Sequence, residues 1–136
     1  MVHFPVPPEV AFDYLVDPAH RPAWQSSLAR VESVTDGPAV GQTWVDVTAP
    51  GPRPRMETTV LDRPHRWTER GTWRSFTAEL TLEFAPAPGG CEVEVAGLRL
   101  TATGLAAPVA RALAAAAPVA VRSDLRRAAT LLADRA

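Results

Sequence analysis

From residue 31 onward polar and apolar positions alternate with a period of two, over stretches near residues 30–35, 43–49, 55–62, 66–71, 75–85 and 91–100. Such alternation predicts strands with one face buried and the other in water. Between them stand strong chain-turning sequences: Asp36-Gly37-Pro38, Pro50-Gly51-Pro52, Asp62-Arg63-Pro64-His65 and the Pro/Ala/Gly run at 85–90. Short connections of this kind join antiparallel neighbours, so the pattern predicts a sheet built from hairpins. A one-residue slip would turn every side chain to the other face, which lets burial test the register. Folding residues 75–100 about their Pro/Gly loop sets Phe84 opposite Cys91, Leu82 opposite Val93 and Leu80 opposite Val95, all apolar. The turn at 62–65 sets Val60 opposite Trp67, Thr58 opposite Glu69 and Glu57 opposite Arg70. A loop at 72–75 then brings Trp67 beside Leu80 and Glu69 beside Ala78. The other face interleaves Arg66 and Arg70 with Glu57, Glu79 and Glu83, where cross-strand charge pairs help modestly. Gly97 is a candidate bulge, which would turn Arg99 outward and Leu98 and Leu100 inward.

Two regions follow the helical period instead. Pro7 and Pro8 suit a helix start, because a first-turn residue has no use for an amide donor, and Glu9 favours the positive end of the helix dipole. Val10, Ala11, Tyr14 and Leu15 share one face, and Asp17-Pro18 ends this helix and caps a second short one that finishes near Trp24. From about Pro108, Val109, Leu113, Ala117, Val121, Leu125, Ala128 and Leu132 draw one apolar stripe, which Pro118 is expected to kink. The most apolar stretch, residues 105–121, contains Arg111, Pro108 and Pro118 and is expected to face the core rather than span a membrane. One curved sheet and one long helix bury their apolar surfaces only against each other, so the stripe is expected to cross the sheet's concave face.

Residues 4–24, FPVPPEVAFDYLVDPAHRPAW, give the order extended lead, proline pair, short helix, Asp-Pro, short helix, tryptophan. Pro7-Pro8-Glu9-Val10, Phe12, Tyr14, Asp17-Pro18 and Trp24, followed by Val40-Gly41-Gln42-Thr43-Trp44, resemble the START-like superfamily of birch pollen allergen, in its polyketide cyclase/dehydrase-like branch. The resemblance implies an α+β helix-grip fold: a curved antiparallel β-sheet wrapped around a long C-terminal α-helix, with two short helices after the first strand. It also implies a cavity between sheet and helix, closed at one end by the short helices. The family is defined by that pocket and hosts carriers, sensors and enzymes alike.

Composition narrows the chemistry. At 136 residues one domain is expected, over 1–136. All basic residues are arginine and the chain lacks Lys, Ile and Asn, the coding bias of a GC-rich genome. With no lysine there is no Schiff base and no internal pyridoxal phosphate anchor, and residues 50–54 lack the helix that would follow a phosphate loop, so no cofactor is expected. A net charge of -1 with both signs spread along the chain argues against a nucleic-acid partner. Cys91 is the one cysteine, which excludes an intrachain disulfide and fits a cytoplasmic setting. His3, His20 and His65 have no metal-ligand spacing, and no metal is expected.

The candidate chemistry lies on the inner face. Trp24, Trp44, Trp67 and Trp73 either fill space or wall a pocket. Glu69 is placed by the register among apolar residues, where a carboxylate needs a partner or a proton. It would anchor a ligand hydroxyl or ketone or act as an acid/base; alternatively it reaches water at the rim or pairs with Arg99. Expected pocket walls are Trp24, Met56, Thr58, Val60, Trp67, Leu80 and Val95, with Val109 and Leu113 from the helix. The expected partner is a small hydrophobic or aromatic molecule of polyketide, lipid or isoprenoid class. The alternative is an aromatase/cyclase or dehydratase with Glu69 as acid/base and Thr58 as its hydrogen-bond partner. The chain is expected as a monomer or homodimer, the latter if Leu131 and Leu132 both lack core partners.

Overall fold

In the computed structural model, which describes residues 1–135, the element order is β1 (Val2–Phe4), α1 (Pro8–Val16), a 3-10 turn (Pro18–His20), α2 (Arg21–Trp24) and β2 (Leu28–Glu32). There follow β3 (Thr43–Thr48), β4 (Arg55–Asp62), β5 (Arg66–Trp73), β6 (Phe76–Ala87), β7 (Gly90–Ala102), a second 3-10 turn (Gly104–Ala106) and α3 (Ala107–Arg135). The strands form one antiparallel, curved seven-stranded sheet in the order β1-β7-β6-β5-β4-β3-β2. Helix α3 packs on β7 and β1, and its Leu125, Ala128 and Leu132 join Phe4, Phe84, Val93 and Leu82 in the core. This is the expected α+β helix-grip arrangement.

Turn chemistry sets the registers. Gly89 at φ 79° lets Pro88-Gly89 close a hairpin directly from Ala87 to Gly90, so Phe84 faces Val93 and Leu82 faces Val95, each two residues from the expected partner. Arg74 at φ 53° closes β5 to β6 as tightly, placing Trp67 opposite Leu82 and Glu69 opposite Leu80 rather than Leu80 and Ala78. Because both shifts are even, the faces stay as expected, and Arg66 bonds Glu83 across the outer face at 3.2 Å. The bulge near Gly97 is present: the register shifts between Thr81 and Leu82, so Leu98 faces Leu80, Leu100 faces Ala78 and Arg99 faces Glu79.

A second bulge reverses one expectation. The β4–β5 register shifts between Thr58 and Val60, so Leu61, not Val60, pairs with Trp67 and packs on the core. Val60 is left on the outer face, 37% exposed. Val10 also lies in water, while Ala11, Phe12, Tyr14, Leu15 and Val16 are buried.

The expectation that residues 105–121 face the core is corrected. Pro118 lies inside α3 without ending it, and Gly104–Arg135 is by length and composition apolar enough to cross a membrane. Only Ala110 of this stretch is buried; the stripe reaches the core at the partly buried Val121 and from Leu125 onward. The reason is geometric, since the first half of α3 stands over an open cavity where there is little to pack against. Leu132 is buried and Leu131 packs against the core, so the condition for expecting a dimer is not met.

Candidate functional site

The corner between α1 and α2 fixes the polar centre of the molecule. Asp17 Oδ1 accepts from the Ala19 amide at 3.0 Å and so caps the turn, as its sequence position predicts. His20 stacks on Tyr14 at 4.4 Å between ring centroids and donates from Nδ1 to the Tyr14 carbonyl at 2.9 Å. With the corner pinned, Arg21 points into the sheet and is 2% exposed.

Every donor of its guanidinium is used. Nε donates to Asp46 Oδ1 at 3.1 Å and Nη2 to Asp46 Oδ2 at 2.8 Å, the paired geometry that suits a carboxylate. Nη1 donates to Glu69 Oε2 at 2.7 Å. With its amide oxygen turned towards Arg21, Gln25 accepts from Nη2 and Nη1 at 3.1 and 3.3 Å. Arginine has five N–H donors, and these contacts occupy them all. Its carbon Cζ lies 5.0 Å from the Trp44 ring centroid, and the Trp44 indole donates to Asp46 Oδ1 at 2.9 Å.

One cation thus faces two carboxylates, so the cluster in its fully ionised form carries a net negative charge. Burial pushes the Glu69 carboxyl above the usual carboxylate range; Arg21 pulls it back, and Asp46 adds to the rise. A raised value in the fold means that the protonated form is the one folding favours. The stability this contributes is full below the ordinary glutamate value of 4.5 and is lost as pH climbs through the raised value. Glu69→Gln, which keeps an acceptor for Arg21, is therefore expected to flatten the fall in stability above that ordinary value. Urea midpoints across the acid-to-neutral range, compared between the two proteins, check the sign.

Beside this cluster opens a cavity of about 340 Å3. Its walls are apolar, formed by Leu28, Pro52, Pro54, Met56, Trp73, Phe76, Ala78, Leu100 and Leu113, with Gly71 in the floor. Gln25, Ser27, Asp46 and Thr48 make one polar end. The β7 bulge matters here, because it is what turns Leu100 inward. Gly71 matters too: a Cβ there would stand 2.6 Å from Met56 Sδ and push that side chain aside.

Of the expected pocket residues, Met56 and Leu113 line this cavity. Trp24, Thr58, Trp67, Glu69 and Leu80 are all buried, with Val95 partly so, but they lie in the packed interior rather than on the cavity wall. Thr58 Oγ1 accepts from Trp67 Nε1 at 3.2 Å, which ties these two together and away from Glu69. Glu69 meets Arg21, not Arg99, because the bulge sends Arg99 to the opposite face. Val109 is 53% exposed and Val60 is outside, so neither reaches the cavity.

Over residues 1–136 the sequence matches the family described as polyketide cyclase/dehydrase and lipid transport. The chain belongs to that family. No curated protein matches the sequence. Among solved structures, protein MLL2253 from Mesorhizobium loti superposes with a TM-score of 0.71 at 17% identity, covering 98% of this chain and 93% of that one. A Rhodobacter sphaeroides protein gives 0.70 at 22% identity over 99% and 90%. DR_A0006 from Deinococcus radiodurans gives 0.54 at 25% identity over 82% and 85%. These likenesses show that the chain shares its fold with those proteins.

In this family member the family-like Val40 to Trp44 motif has a local physical role. Gly41 takes φ 90°, a conformation that favours glycine, and its amide donates to the Thr58 carbonyl at 2.8 Å. The Thr58 amide returns a bond to Gln42 at 3.0 Å, which aligns β3 beside β4 and turns Trp44 and Asp46 inward. Arg21 and Asp46 are the residues that sequence reasoning missed. The signal was available: an inward Trp44 makes Asp46 inward as well, and two inward carboxylates require a buried cation. Among the described residues no group of His, Cys, Asp and Glu is placed to hold a metal ion.

Proposed function

We propose that the protein binds a small, mostly apolar molecule carrying a neutral hydroxyl or similar hydrogen-bonding head, in the cavity between the sheet and the first half of α3. The observation that carries this reading is the cavity's make-up: about 340 Å3, apolar on nearly all sides, with Gln25, Ser27, Asp46 and Thr48 gathered at one end. A hydroxyl can donate to an acceptor such as Asp46 and accept from a donor such as Gln25. With both carboxylates ionised an anionic head would be repelled, because they outnumber the arginine. At 5–8 Å separation and intermediate dielectric that repulsion corresponds to roughly tenfold in affinity. Polyketide, isoprenoid and single-chain lipid alcohols all fit this description.

The test is displacement of a fluorescent apolar dye by decanol and by decanoate at mildly alkaline pH. Decanol is expected to displace the dye at roughly tenfold lower concentration. Ala78→Phe, which fills the cavity from its floor, is expected to abolish dye binding while leaving the fold intact. A protein that binds neither dye nor alcohol has no ligand site here.

One observation favours the second reading, an aromatase/cyclase or dehydratase with Glu69 as acid/base: burial keeps a proton on that carboxyl to higher pH than usual. Against it, Glu69 is engaged by Arg21 and Thr58 by Trp67, and neither lines the cavity. Loss of turnover in Glu69→Gln with binding retained would establish the enzyme reading.

A further inference from the structure

Between residues 104 and 121 the chain is helical but barely packed. Leu105 is 100% exposed, Val119 70%, Val109 53% and Leu113 51%. Helix α3 is long and apolar enough to cross a membrane, yet its second half is committed to the core through Leu125, Ala128 and Leu132. Spanning would tear out that core, whereas lying flat on a surface would not. At about 100° per residue, Leu113, Val109, Ala116, Ala112 and Val119 sweep one outward arc, and Arg111 and Arg122 flank it on the Val119 side. An apolar arc flanked by cations is the layout of a helix resting in a bilayer interface.

Charge around the cavity mouth agrees independently. The three segments that frame it, residues 47–56, 71–78 and 95–123, carry no Asp or Glu; Arg53, Arg74, Arg111 and Arg122 lie on them, while Arg55 and Arg99 belong to the outer face of the sheet. Arg53 shares Glu32 with Arg30, at 3.5 Å, and Arg99 stands opposite Glu79. Among the described residues Arg74, Arg111 and Arg122 make no ion pair. Arg74 instead lies over the half-buried Trp73, 4.7 Å from its ring centroid, at the mouth itself. The whole chain has a net charge of -1, so this cationic end is local and not a general stickiness for anions.

We propose that this end of the molecule docks on an anionic lipid bilayer, with the first half of α3 in the headgroup layer and the cavity mouth facing the membrane. The exposed apolar residues enter the interface and the unpaired arginines meet lipid phosphates. A second copy of the chain fits less well, since a two-fold contact through the same patch gathers the arginines of both copies, Arg74, Arg111 and Arg122, into one interface with no Asp or Glu from these segments to meet them. Exchange of a ligand between bilayer and cavity rests on the ligand-binding reading above; docking itself does not.

The experiment is flotation of the full chain with vesicles of phosphatidylcholine alone and of phosphatidylcholine with about one-third phosphatidylglycerol. Binding is expected to the second kind only, weakened by salt, with a blue shift of tryptophan emission that Trp73→Phe removes. Val109→Asp with Val119→Asp, two exposed positions outside the cavity wall, is expected to lower vesicle affinity at least ~tenfold. The same double variant is expected to keep wild-type melting and dye binding. The proposal is overturned if the chain ignores anionic vesicles at low salt, or binds neutral ones equally. It is also overturned if the wild type is a dimer in solution that the double variant dissociates, for then the patch belongs to a second copy. Failure of dye and decanol binding with vesicle docking intact would sink the ligand reading alone.

Discussion

Arg21→Met is expected to lose about 3–5 kcal/mol of stability, a large share of the 5–15 kcal/mol typical of a domain. The substitution leaves Asp46 and Glu69 buried side by side without their cation, and it removes five hydrogen bonds in one step. Arg21→Lys is expected to fall between the two, because an ammonium offers three donors where the site needs five in a plane. The origin of the loss is testable with Arg21→Met, Asp46→Leu and Glu69→Met combined. Replacing a whole buried ion cluster by apolar residues is often neutral or better, so the triple variant is expected to recover most of the deficit. A remainder of about 1–3 kcal/mol is expected from the Trp44 indole N–H, which loses its acceptor on Asp46. Urea unfolding of the four proteins separates the cases, and a fully stable Arg21→Met would refute the closed network.

Trp67→Ala is the second large effect, about 3–5 kcal/mol, as for an aromatic removed from a packed interior. Trp67 is 0% exposed, paired with Leu61 and Leu82, and bonded to Thr58. Trp67→Phe keeps most of the volume and is expected to cost less, with dye affinity in the cavity unchanged. Equal loss of stability and of dye binding in Trp67→Phe would put this ring on the ligand's side of Met56 after all.

What the sequence made legible was the parity of each strand. The face of Phe84, Leu82, Cys91 and Val93 follows from alternation alone, and so does the mixed-charge outer face. The exact partners did not follow, because Pro88-Gly89 and Arg74-Ser75 close tighter turns than their flanking prolines and aromatics suggest. Bulges split the same way. Gly97 announces one through its missing side chain, whereas the shift beside Thr59 is carried by ordinary β-formers and gives no sign, which is why Val60 was expected inside. For the site, Glu69 was legible as an inward carboxylate. Its partner was not, since Arg21 sits on a four-residue helix too short to show any periodicity. The depth of the cavity was also hidden: it depends on where α3 stops touching the sheet, and the apolar stripe runs past that point unbroken.

The tight turns at Pro88-Gly89 and Arg74-Ser75 bear on how such a chain can change length over evolutionary time. Each joins strands whose residues beside the turn point alternately inward and outward, so adding or deleting one residue in either strand would turn the core residues beyond it to the other face. Adding or deleting two would only lengthen or shorten the hairpin. Insertions in these arms should therefore come in even numbers, and an odd one should arrive with a bulge that restores the phase, as the strand from Gly90 to Ala102 already does at Gly97.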